Sequence, residues 1–331
     1  MEDWYAVIVG EGRYSYKVND RWGGYFYSPY IEVAGLGVDS KDQIYVLVRG
    51  VHPILIFDSR GRFLRSLGIM DLMWPHGIFV DKNGYIYCTS DDHTVKKFGP
   101  DGKLLVCLGN KDRPSRTGCV NKDYRTIRRA SGPFHHPTDV ACDEDGNLYV
   151  ADGYGNARVH KFSKEGELIL SWGRPGGGPG EFRLPHGIYV DRSGIVYVAD
   201  RENNRIQCFD SEGKFIRQWD ANRPTDVFVH GGAVYVPELG YYSGPRLISS
   251  KPKDGVMHPR FSIFTPEGDL LSRWGGSDGY APGSFVAPHC VAVDSKGDIY
   301  VGETSITGGT DSFISRTCRV LQKFMKKRST S

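Results

Sequence analysis

The sequence predicts an all-β fold, a six-bladed β-propeller, and two observations carry this prediction. Six segments of the 331-residue chain repeat one pattern, each with an anchor tyrosine that is followed by an apolar residue or a cysteine. Within each segment, short alternating strands are separated by glycine-containing turns, and helical periodicity is absent. Repeats of about 40–50 residues with four such strands are typical of propeller blades. The anchor tyrosines are Tyr45, Tyr87, Tyr149, Tyr197, Tyr235 and Tyr300.

The fourth copy shows the repeating unit most plainly. Two strands joined by a Ser-Gly turn are followed by two more strands joined by a Glu-Gly turn, which predicts a four-stranded antiparallel meander. These strands are predicted at 184–191, 195–200, 205–210 and 215–219.

The chain is predicted to form one domain, 1–331, in which the ends of the chain meet. The predicted blades fall near 31–68, 73–109, 136–173, 184–219, 222–275 and 287–324. The sixth blade contains only three evident strands. We expect its fourth strand to come from residues 4–12, because Tyr5–Gly12 has the strand-and-glycine ending of other blades. This closure by an N-terminal strand pairs the first and last blades and removes an open sheet edge.

The composition limits the function classes. The net charge of +3 is too small to argue for a nucleic-acid partner. No segment has the apolar length of a membrane span, and the first residues do not resemble a signal peptide, so we expect no membrane partner and a cytoplasmic location. The seven cysteines are odd in number and lack paired spacing, which argues against a disulfide scaffold.

Three alternate copies carry a histidine eleven residues before the anchor tyrosine, each after a proline. In a ring of six blades, alternate positions converge on the axis with threefold spacing, so we predict one metal site. Zinc prefers imidazole, and three histidines leave a fourth position open for water or substrate. Hydrogen bonding of the three rings to water in a polar channel is the alternative. The histidines are His76, His186 and His289; at the matching place the first copy has Ala34, and the third and fifth copies read Pro-Thr-Asp at 137–139 and 224–226.

Two arginines and a tyrosine are predicted to act beside the metal. Arg49 and Arg201 lie four residues after the anchor tyrosine in the first and fourth copies, on opposite blades. The planar fork of arginine suits a substrate carboxylate, although a salt bridge to a loop acid is the alternative. Tyr154 begins the equivalent loop of the third copy. A nearby arginine and a dication would make its phenol a usable base, whereas simple packing beside a glycine is the alternative.

Four segments closely resemble peptidyl-α-hydroxyglycine α-amidating lyase, a family of NHL-repeat six-bladed propellers. They are FHHPTDVA at 134–141, DGYGNAR at 152–158, LPHG at 184–187 and VADRENNRIQCF at 198–209. The resemblance extends over nearly the whole chain and is weakest in the insertions and at 238–286. It implies zinc on the three histidines, Tyr154 and Arg201 at the reacting centre, and Arg49 in substrate binding. The implied reaction cleaves the C–N bond of an N-acyl-α-hydroxyglycine or similar carbinolamide to an amide and glyoxylate. The implied substrate is a small molecule or a peptide with a C-terminal carboxylate.

The chain departs from this family at several places. The family's structural calcium is held partly by backbone carbonyls that map to Leu36 and Ile78, but its carboxylate ligand falls on Cys290. A methionine near the substrate falls on Ala287, so the shape of the pocket is expected to differ. Half-cystines of secreted members fall on His135, Gly155 and Tyr197, with only Cys208 retained, which fits a reducing compartment.

Two other functions remain open at the level of the sequence. The first is a zinc hydrolase of the lactonase or amidase type on the same scaffold. The second is a non-catalytic NHL module that binds protein or RNA, for which the basic insertion at 110–134 is the best support. This insertion contains one aromatic residue, Tyr124, whereas single-stranded nucleic acid is usually bound by several stacking aromatics.

Overall fold

The computed structural model describes residues 6–24, 32–68, 72, 74–241, 254–304 and 319–328. Its strands form six antiparallel sheets, and the innermost strands of these sheets contact one another in a closed ring. The chain is therefore an all-β, six-bladed β-propeller, as predicted. Outside the described residues lie residues 4–5 of the predicted N-terminal strand, 242–253 of predicted blade five and 305–318 of predicted blade six. No helix in the described part is long and apolar enough to cross a membrane.

The strands follow the chain order of the predicted repeats. The N-terminal strands are β1 (Ile8–Val9) and β2 (Tyr16–Asn19). Blade one contains β3 (Val33–Val38), β4 (Ile44–Val48), β5 (Ile54–Phe57) and β6 (Phe63–Leu67). Blade two contains β7 (Pro75–Val80), β8 (Ile86–Ser90), β9 (Thr94–Phe98) and β10 (Leu104–Gly109). Blade three contains β11 (Pro137–Cys142), β12 (Leu148–Asp152), β13 (Arg158–Phe162) and β14 (Leu168–Trp172). Blade four contains β15 (Pro185–Val190), β16 (Val196–Asp200), β17 (Arg205–Phe209) and β18 (Phe215–Asp220). Blade five contains β19 (Phe228–His230), β20 (Ala233–Glu238), β21 (Arg260–Phe264) and β22 (Leu270–Trp274). Blade six contains β23 (Pro288–Val293), β24 (Ile299–Glu303) and β25 (Leu321–Lys326). Short 3-10 helices lie at Gly12–Tyr14, Tyr124–Thr126 and Arg201–Asn203.

The anchor tyrosine of each repeat is buried and, in five blades, bonded to the turn after the first strand. In blade four, Asp191 accepts the backbone N–H groups of Ser193 and Ile195 at 2.8 and 3.1 Å. Its second carboxylate oxygen accepts the hydroxyl of Tyr197 at 3.1 Å. One aspartate thus fixes the turn and the second strand together, which explains why the two residues repeat. The equivalent pairs are Asp39–Tyr45, Asp81–Tyr87, Asp143–Tyr149 and Asp294–Tyr300.

The hydrophobic core lies between neighbouring blades rather than in one central mass. Each of the six blade interfaces buries a separate cluster of apolar side chains. Between blades six and one, the Trp22 ring lies 5.5 Å from Phe57 and 5.0 Å from Tyr300, measured between ring centroids. This interface joins the two ends of the repeat array, so it locks the ring.

The N-terminal segment closes blade six, but the strand that does so differs from the predicted one. Strand β2, not residues 4–12, pairs antiparallel with β25, with Tyr16 opposite Lys326. Strand β1, which lies inside the predicted segment, pairs only with the outer edge of β2. Burial explains this order, because Tyr16 is inaccessible and its ring packs 5.6 Å from Trp274, whereas Ile8 is 44% exposed.

Candidate metal centre

The three predicted histidines meet at the propeller axis. His76, His186 and His289 are each the second residue of an innermost strand, β7, β15 and β23. Their ring centroids lie 4.7–4.9 Å apart, and their possible ligand atoms all lie within 4.8 Å of one another. Two imidazole nitrogens on one tetrahedral zinc lie about 3.3 Å apart, so inward shifts of less than about 1 Å would suffice. Across the described residues, this is the one group of three or more His, Cys, Asp or Glu that could hold a metal ion.

Each ring is oriented by a backbone carbonyl of the next blade. The Nδ1 atoms of His76, His186 and His289 lie 2.7, 2.5 and 3.0 Å from carbonyl oxygens. The carbonyls belong to Thr138, Thr225 and Ala34, which occupy the same repeat position in the three blades without histidine. A carbonyl only accepts, so Nδ1 carries the proton and Nε2 presents its lone pair to the axis.

The surroundings also keep the three imidazoles neutral, which is the form that binds metal. Burial, reinforced by the charge of Arg49, lowers the pKa of His76 to about 3. Burial and Arg201 lower the pKa of His186 well below its usual value. Burial and the neighbouring His76 do the same for His289. The chemistry of this donor set therefore fits a divalent ion such as zinc.

Glycine follows two of the three histidines because the innermost strands approach closely there. A Cβ on Gly77 would lie 2.7 Å from the carbonyl oxygen of Thr138, and one on Gly187 would lie 2.5 Å from the Cα of Asp226. Real Cβ atoms essentially never come so close to backbone. The Pro-His-Gly sequence thus lets the rings of His76 and His186 reach the carbonyls that orient them.

Tyr154 lies against the same ring nitrogens. Its hydroxyl is 3.2 Å from Nε2 of His76 and 3.2 Å from Nε2 of His186. The Nη1 atom of Arg201 lies 3.5 Å from this hydroxyl, and the guanidinium carbon lies 5.6 Å from the centroid of the phenol ring. The structure therefore brings together five of the predicted site residues.

The loop that carries Tyr154 is hydrogen-bonded to, and packs against, the insertion at 110–134 and the residue that follows it, His135. Gly155 donates its backbone N–H to the carbonyl of His135 at 2.9 Å, and its own carbonyl accepts the Thr117 hydroxyl at 2.6 Å. Tyr124 and Ile127 of the insertion form a small apolar cluster with Leu184, against which Tyr154 packs. The insertion thus supports the loop that carries the phenol.

Arg201 is buried and anchored at one end. Its Nε atom donates to Glu202 at 2.9 Å, which leaves Nη1 directed at Tyr154. Burial alone would lower the pKa of Arg201, but the Tyr154 hydroxyl and the Glu202 carboxylate raise it above its usual value. A permanent positive charge therefore lies beside the phenol oxygen.

Arg49 lies on the opposite side and has a different partner. Its Nη1 atom forms a 2.6 Å salt bridge with Glu32, and its guanidinium carbon lies 5.0 Å from the Trp74 ring centroid. Its charge contributes to lowering the pKa of both His76 and His289. Arg49 is thus close to the histidines, while the salt bridge to a loop acid that the sequence left open is also present.

A central channel of about 1070 Å³ runs from the histidines along the innermost strands. Leu36, Ile78 and Cys290 line it, together with Asp139 and Asp226. Burial raises the pKa of the Cys290 thiol well above its usual value, so this residue is a neutral sulfur, whereas calcium prefers oxygen ligands. Calcium at the carbonyls of Leu36 and Ile78 stays a prediction, and the carboxylate ligand that the resemblance implies is missing at position 290.

Sequence reasoning missed the groups that orient the site. The carbonyl acceptors Thr138, Thr225 and Ala34 could have been found, because ring closure places each of them beside a histidine. Glu202 accepts Nε of Arg201 at 2.9 Å and Nη2 of Arg223, from the next blade, at 3.0 Å. These contacts carry no comparable signal in the sequence, because they join loops of different blades.

The comparisons with known proteins place the chain in a family. The NHL repeat signature matches residues 134–162 and 182–209. NHL repeat-containing protein 3 of Mus musculus is 32% identical over 288 residues, covering 81% of this chain and 75% of that protein. The chain belongs to the NHL-repeat family. Among solved structures, a streptogramin B lyase has a TM-score of 0.58 at 12% identity, covering 92% of this NHL-repeat chain and 95% of the other. A gluconolactonase from Xanthomonas campestris has a TM-score of 0.60 at 11% identity, covering 98% and 96%. At these identities the likeness shows the fold alone.

Other relatives of this NHL-repeat protein carry names of amidating enzymes. Peptidyl-glycine alpha-amidating monooxygenase A of Xenopus laevis is 32% identical over 311 residues, covering 82% of this chain and 30% of that protein. Peptidyl-alpha-hydroxyglycine alpha-amidating lyase 1 of Drosophila melanogaster is 32% identical over 252 residues, covering 69% and 42%. The chain thus spans less than half the length of these relatives. NHL repeat-containing protein 3, whose name gives no activity, matches at the same 32% identity as the amidating lyase. Overall sequence identity therefore does not assign the function, and the assignment of a function depends on the site residues.

Proposed function

We propose that this protein is a zinc-dependent lyase that cleaves the C–N bond of an N-acyl-α-hydroxyglycine or similar carbinolamide, giving an amide and glyoxylate. The observation that carries the proposal is the position of Tyr154, whose hydroxyl lies 3.2 Å from Nε2 of both His76 and His186. A phenol at this place can exchange a proton with a group bound at the axis. The name of the Drosophila melanogaster relative, an alpha-amidating lyase at 32% identity, supports the same reaction class.

The three histidines are proposed to hold the metal, and Tyr154 to move the proton. A divalent ion bound by these rings supplies Lewis-acid chemistry at the axis. Tyr154, or a base that it controls, takes the proton of the substrate's α-hydroxyl. The O–H electrons form the carbonyl of glyoxylate, the C–N bond breaks with its electron pair on nitrogen, and the amide nitrogen takes up a proton.

The substrate class follows from the charge beside the phenol. Glyoxylate and its precursor carry a carboxylate, and Arg201 presents Nη1 to the same space that Tyr154 faces. A carboxylate bound there would put the α-carbon next to the phenol oxygen, with Arg49 assisting from the opposite side. The proposed substrate is thus a small carbinolamide or a peptide that ends in α-hydroxyglycine.

The direct test is the release of glyoxylate from α-hydroxyhippurate by purified, zinc-loaded protein. We expect turnover by the wild type, and a loss of about 10²–10⁴-fold in kcat for Tyr154→Phe, the range for removal of a general base. The matched control is Tyr189→Phe, because Tyr189 also lines the channel but lies beyond His186 on β15, where its ring packs 4.8 Å from Phe228. This control should keep the activity of the wild type.

The products separate a lyase from a hydrolase. Lyase cleavage of α-hydroxyhippurate yields benzamide, whose oxygen comes from the substrate, whereas amide hydrolysis yields benzoate with one oxygen from water. Benzoate that gains one ¹⁸O in labelled water would replace the lyase with an amidase. A zinc-loaded protein that makes neither product would rule out this substrate class.

A further inference from the structure

Trp74 is the most exposed aromatic side chain in the part of the chain that the structure describes, with 55% of its surface accessible. It lies two residues before His76 and directly before β7, the strand that carries this histidine. A single exposed apolar side chain needs no explanation by itself. The place of this one, beside a candidate metal ligand, makes its ring a candidate for contact with the substrate.

The same repeat position lies close to the candidate site in another blade. In blade four the residue before the first proline is Leu184, which is inaccessible and belongs to the apolar cluster against which Tyr154 packs. Equivalent positions of a closed ring lie at the same height along the axis, so Trp74 lies at the level of the phenol. Five blades have a proline at the start of the innermost strand, and Trp74 is the exposed member among the residues that precede it: Trp74, His136, Leu184, Arg223 and Ala287.

The backbone has the same conformation at four of these five positions. The φ angle is +44° at Trp74, +57° at His136, +65° at Leu184 and +46° at Arg223. This is the left-handed region, which L side chains rarely adopt. Because the conformation recurs at one repeat position, it belongs to the blade and not to the tryptophan. The placing of the Trp74 ring is therefore set by the architecture of the repeat.

Arg49 packs over one face of the Trp74 ring. Its guanidinium carbon lies 5.0 Å from the ring centroid, within the range of a cation–π interaction. The same guanidinium lies close to the histidines, since its charge contributes to lowering the pKa of both His76 and His289. The ring is thus connected to the candidate metal centre through Arg49, while more than half of the tryptophan surface stays accessible.

The proposed reaction places the acyl group of the substrate on this side. The α-carbon of an N-acyl-α-hydroxyglycine carries a hydroxyl, a carboxylate, a hydrogen and the acylated nitrogen. With the hydroxyl at the axis beside Tyr154 and the carboxylate at Arg201 in blade four, the nitrogen points away from blade four. Arg49 in blade one and Trp74 at the start of blade two lie on that side of the ring.

We propose that Trp74 is a specificity-determining residue that binds the N-acyl group and favours large apolar acyl groups, such as benzoyl. The exposed ring offers flat apolar surface, and an acyl group that packs on it removes both surfaces from water. This inference rests on the proposed function, because it takes the carboxylate of the substrate to lie at Arg201. It adds the class of acyl group to that function.

The test compares a benzoyl with an acetyl group at the same site. Zinc-loaded protein is assayed with N-benzoyl- and N-acetyl-α-hydroxyglycine, and the unreactive N-benzoylglycine and N-acetylglycine are titrated by calorimetry. For Trp74→Ala we expect the preference for benzoyl over acetyl to fall about tenfold, both in kcat/KM and in affinity. The fall in kcat/KM should appear in KM, because Trp74 contacts a part of the substrate that does not react.

Two further variants complete the test. Trp74→Phe keeps an aromatic ring for both Arg49 and the acyl group, so most of the preference for benzoyl should remain. Leu105→Ala is the matched control, because Leu105 is an apolar side chain of the same blade with a similar exposure, 47%, on the outermost strand β10. It should leave the preference unchanged.

Two results would overturn the inference. The first is a Trp74→Ala protein that keeps the wild-type preference for benzoyl over acetyl. The second is an equal fall for both acyl groups, which would mean that Trp74 acts only by supporting Arg49.

Glyoxylate release by the wild type tests the proposed function separately. An active wild type with either of these two results would remove this inference alone. A wild type that releases no glyoxylate, but whose affinity for N-benzoylglycine depends on Trp74, would remove the lyase and keep the acyl site. A wild type that binds neither ligand and releases no glyoxylate would remove both.

Discussion

Loss of one histidine should abolish the stabilisation of the fold by metal. The rings of His76, His186 and His289 converge within 4.9 Å, each fixed through Nδ1 by a different carbonyl. His186→Ala leaves two rings and removes the partner of the Thr225 carbonyl. Because the unfolded chain does not hold the three rings together, metal binding adds directly to the free energy of unfolding.

The size of this effect can be worked out. Metal at about 1,000 times its dissociation constant stabilises a one-site protein by about 4.1 kcal/mol. The entropy of unfolding is about 2.1 cal/mol/K per residue, so the 331-residue chain has about 0.7 kcal/mol/K. The expected rise in Tm on adding zinc to metal-free wild type is then about 6 °C.

The assay is scanning calorimetry with and without zinc, together with metal analysis of the dialysed protein. The readout is the zinc-dependent rise in Tm, because His186→Ala also disturbs packing in the metal-free state. His230→Ala is the control, since His230 lies near the far end of the channel, on β19. The prediction that the three histidines bind one metal ion would be refuted by a wild type without stoichiometric metal. It would also be refuted by a His186→Ala protein that shows the full zinc-dependent rise in Tm.

Two further predictions concern the fold and its response to acid. Tyr16→Ala should lower the free energy of unfolding by about 3–5 kcal/mol in denaturant titrations, because it empties a fully buried aromatic site in the closing strand. Ile8→Ala on the outer strand β1 should change it by less than about 0.5 kcal/mol, and equal effects would contradict closure by β2. His93 accepts the backbone N–H of His136 through Nδ1 at 3.1 Å, and burial, with the charges of His136 and His135, lowers its pKa from 6.5 to about 4. The unfolded chain therefore binds this proton at higher pH, so the stabilisation from neutral His93 is present above pH 6.5 and is lost as pH falls to about 4. The loss is at most about 3 kcal/mol. The stability difference between wild type and His93→Gln, measured by urea unfolding at pH 7 and pH 4.5, should shrink accordingly, and a difference independent of pH would count against this.

The ring architecture explains why the three-histidine cluster could be predicted from the sequence. In a closed array of equivalent blades, the same repeat position lies at the same height and distance from the axis. Three histidines at the same repeat position must therefore converge on the propeller axis. The residues at this position in the three intervening blades must lie around the axis at the same height. The same reasoning would have identified the Thr138, Thr225 and Ala34 carbonyls, because each lies between two histidines in the ring.

Register alone does not determine the contacts of loop residues. Arg49 and Arg201 occupy the same repeat position, yet one pairs with Glu32 before its blade and the other with its chain neighbour Glu202. The partner depends on which acid the adjoining loops bring close, and those loops differ in length and sequence. For the same reason Arg223, which reaches Glu202 from the next blade, had no signature in the repeat.

The closing strand was hard to predict because two short N-terminal segments could both pair with β25. Residues 4–12 end in the expected glycine, whereas residues 16–19 contain the aromatic side chain that fits the interface between blades. The structure favours β2 because burial of Tyr16 against Trp274 outweighs a matching turn. The sequence pattern thus identified the N-terminal segment as the region that pairs with β25, whereas side-chain packing determined that β2 is the strand that does so.

Hydrogen bonds, and no disulfide, hold the loop that carries Tyr154. In secreted members of the family that the sequence resembles, half-cystines fall at this place. His135 and Gly155 occupy two of those places, and the structure puts them in contact through the 2.9 Å hydrogen bond between their backbones. Thr117 adds a bond to the Gly155 carbonyl, and the His135 backbone N–H donates to Asp152 at 2.9 Å. Several hydrogen bonds, each contributing about 1 kcal/mol, thus replace a constraint that would need an oxidising compartment. The position of the phenol is therefore set by the fold itself, in the presence or absence of a reductant.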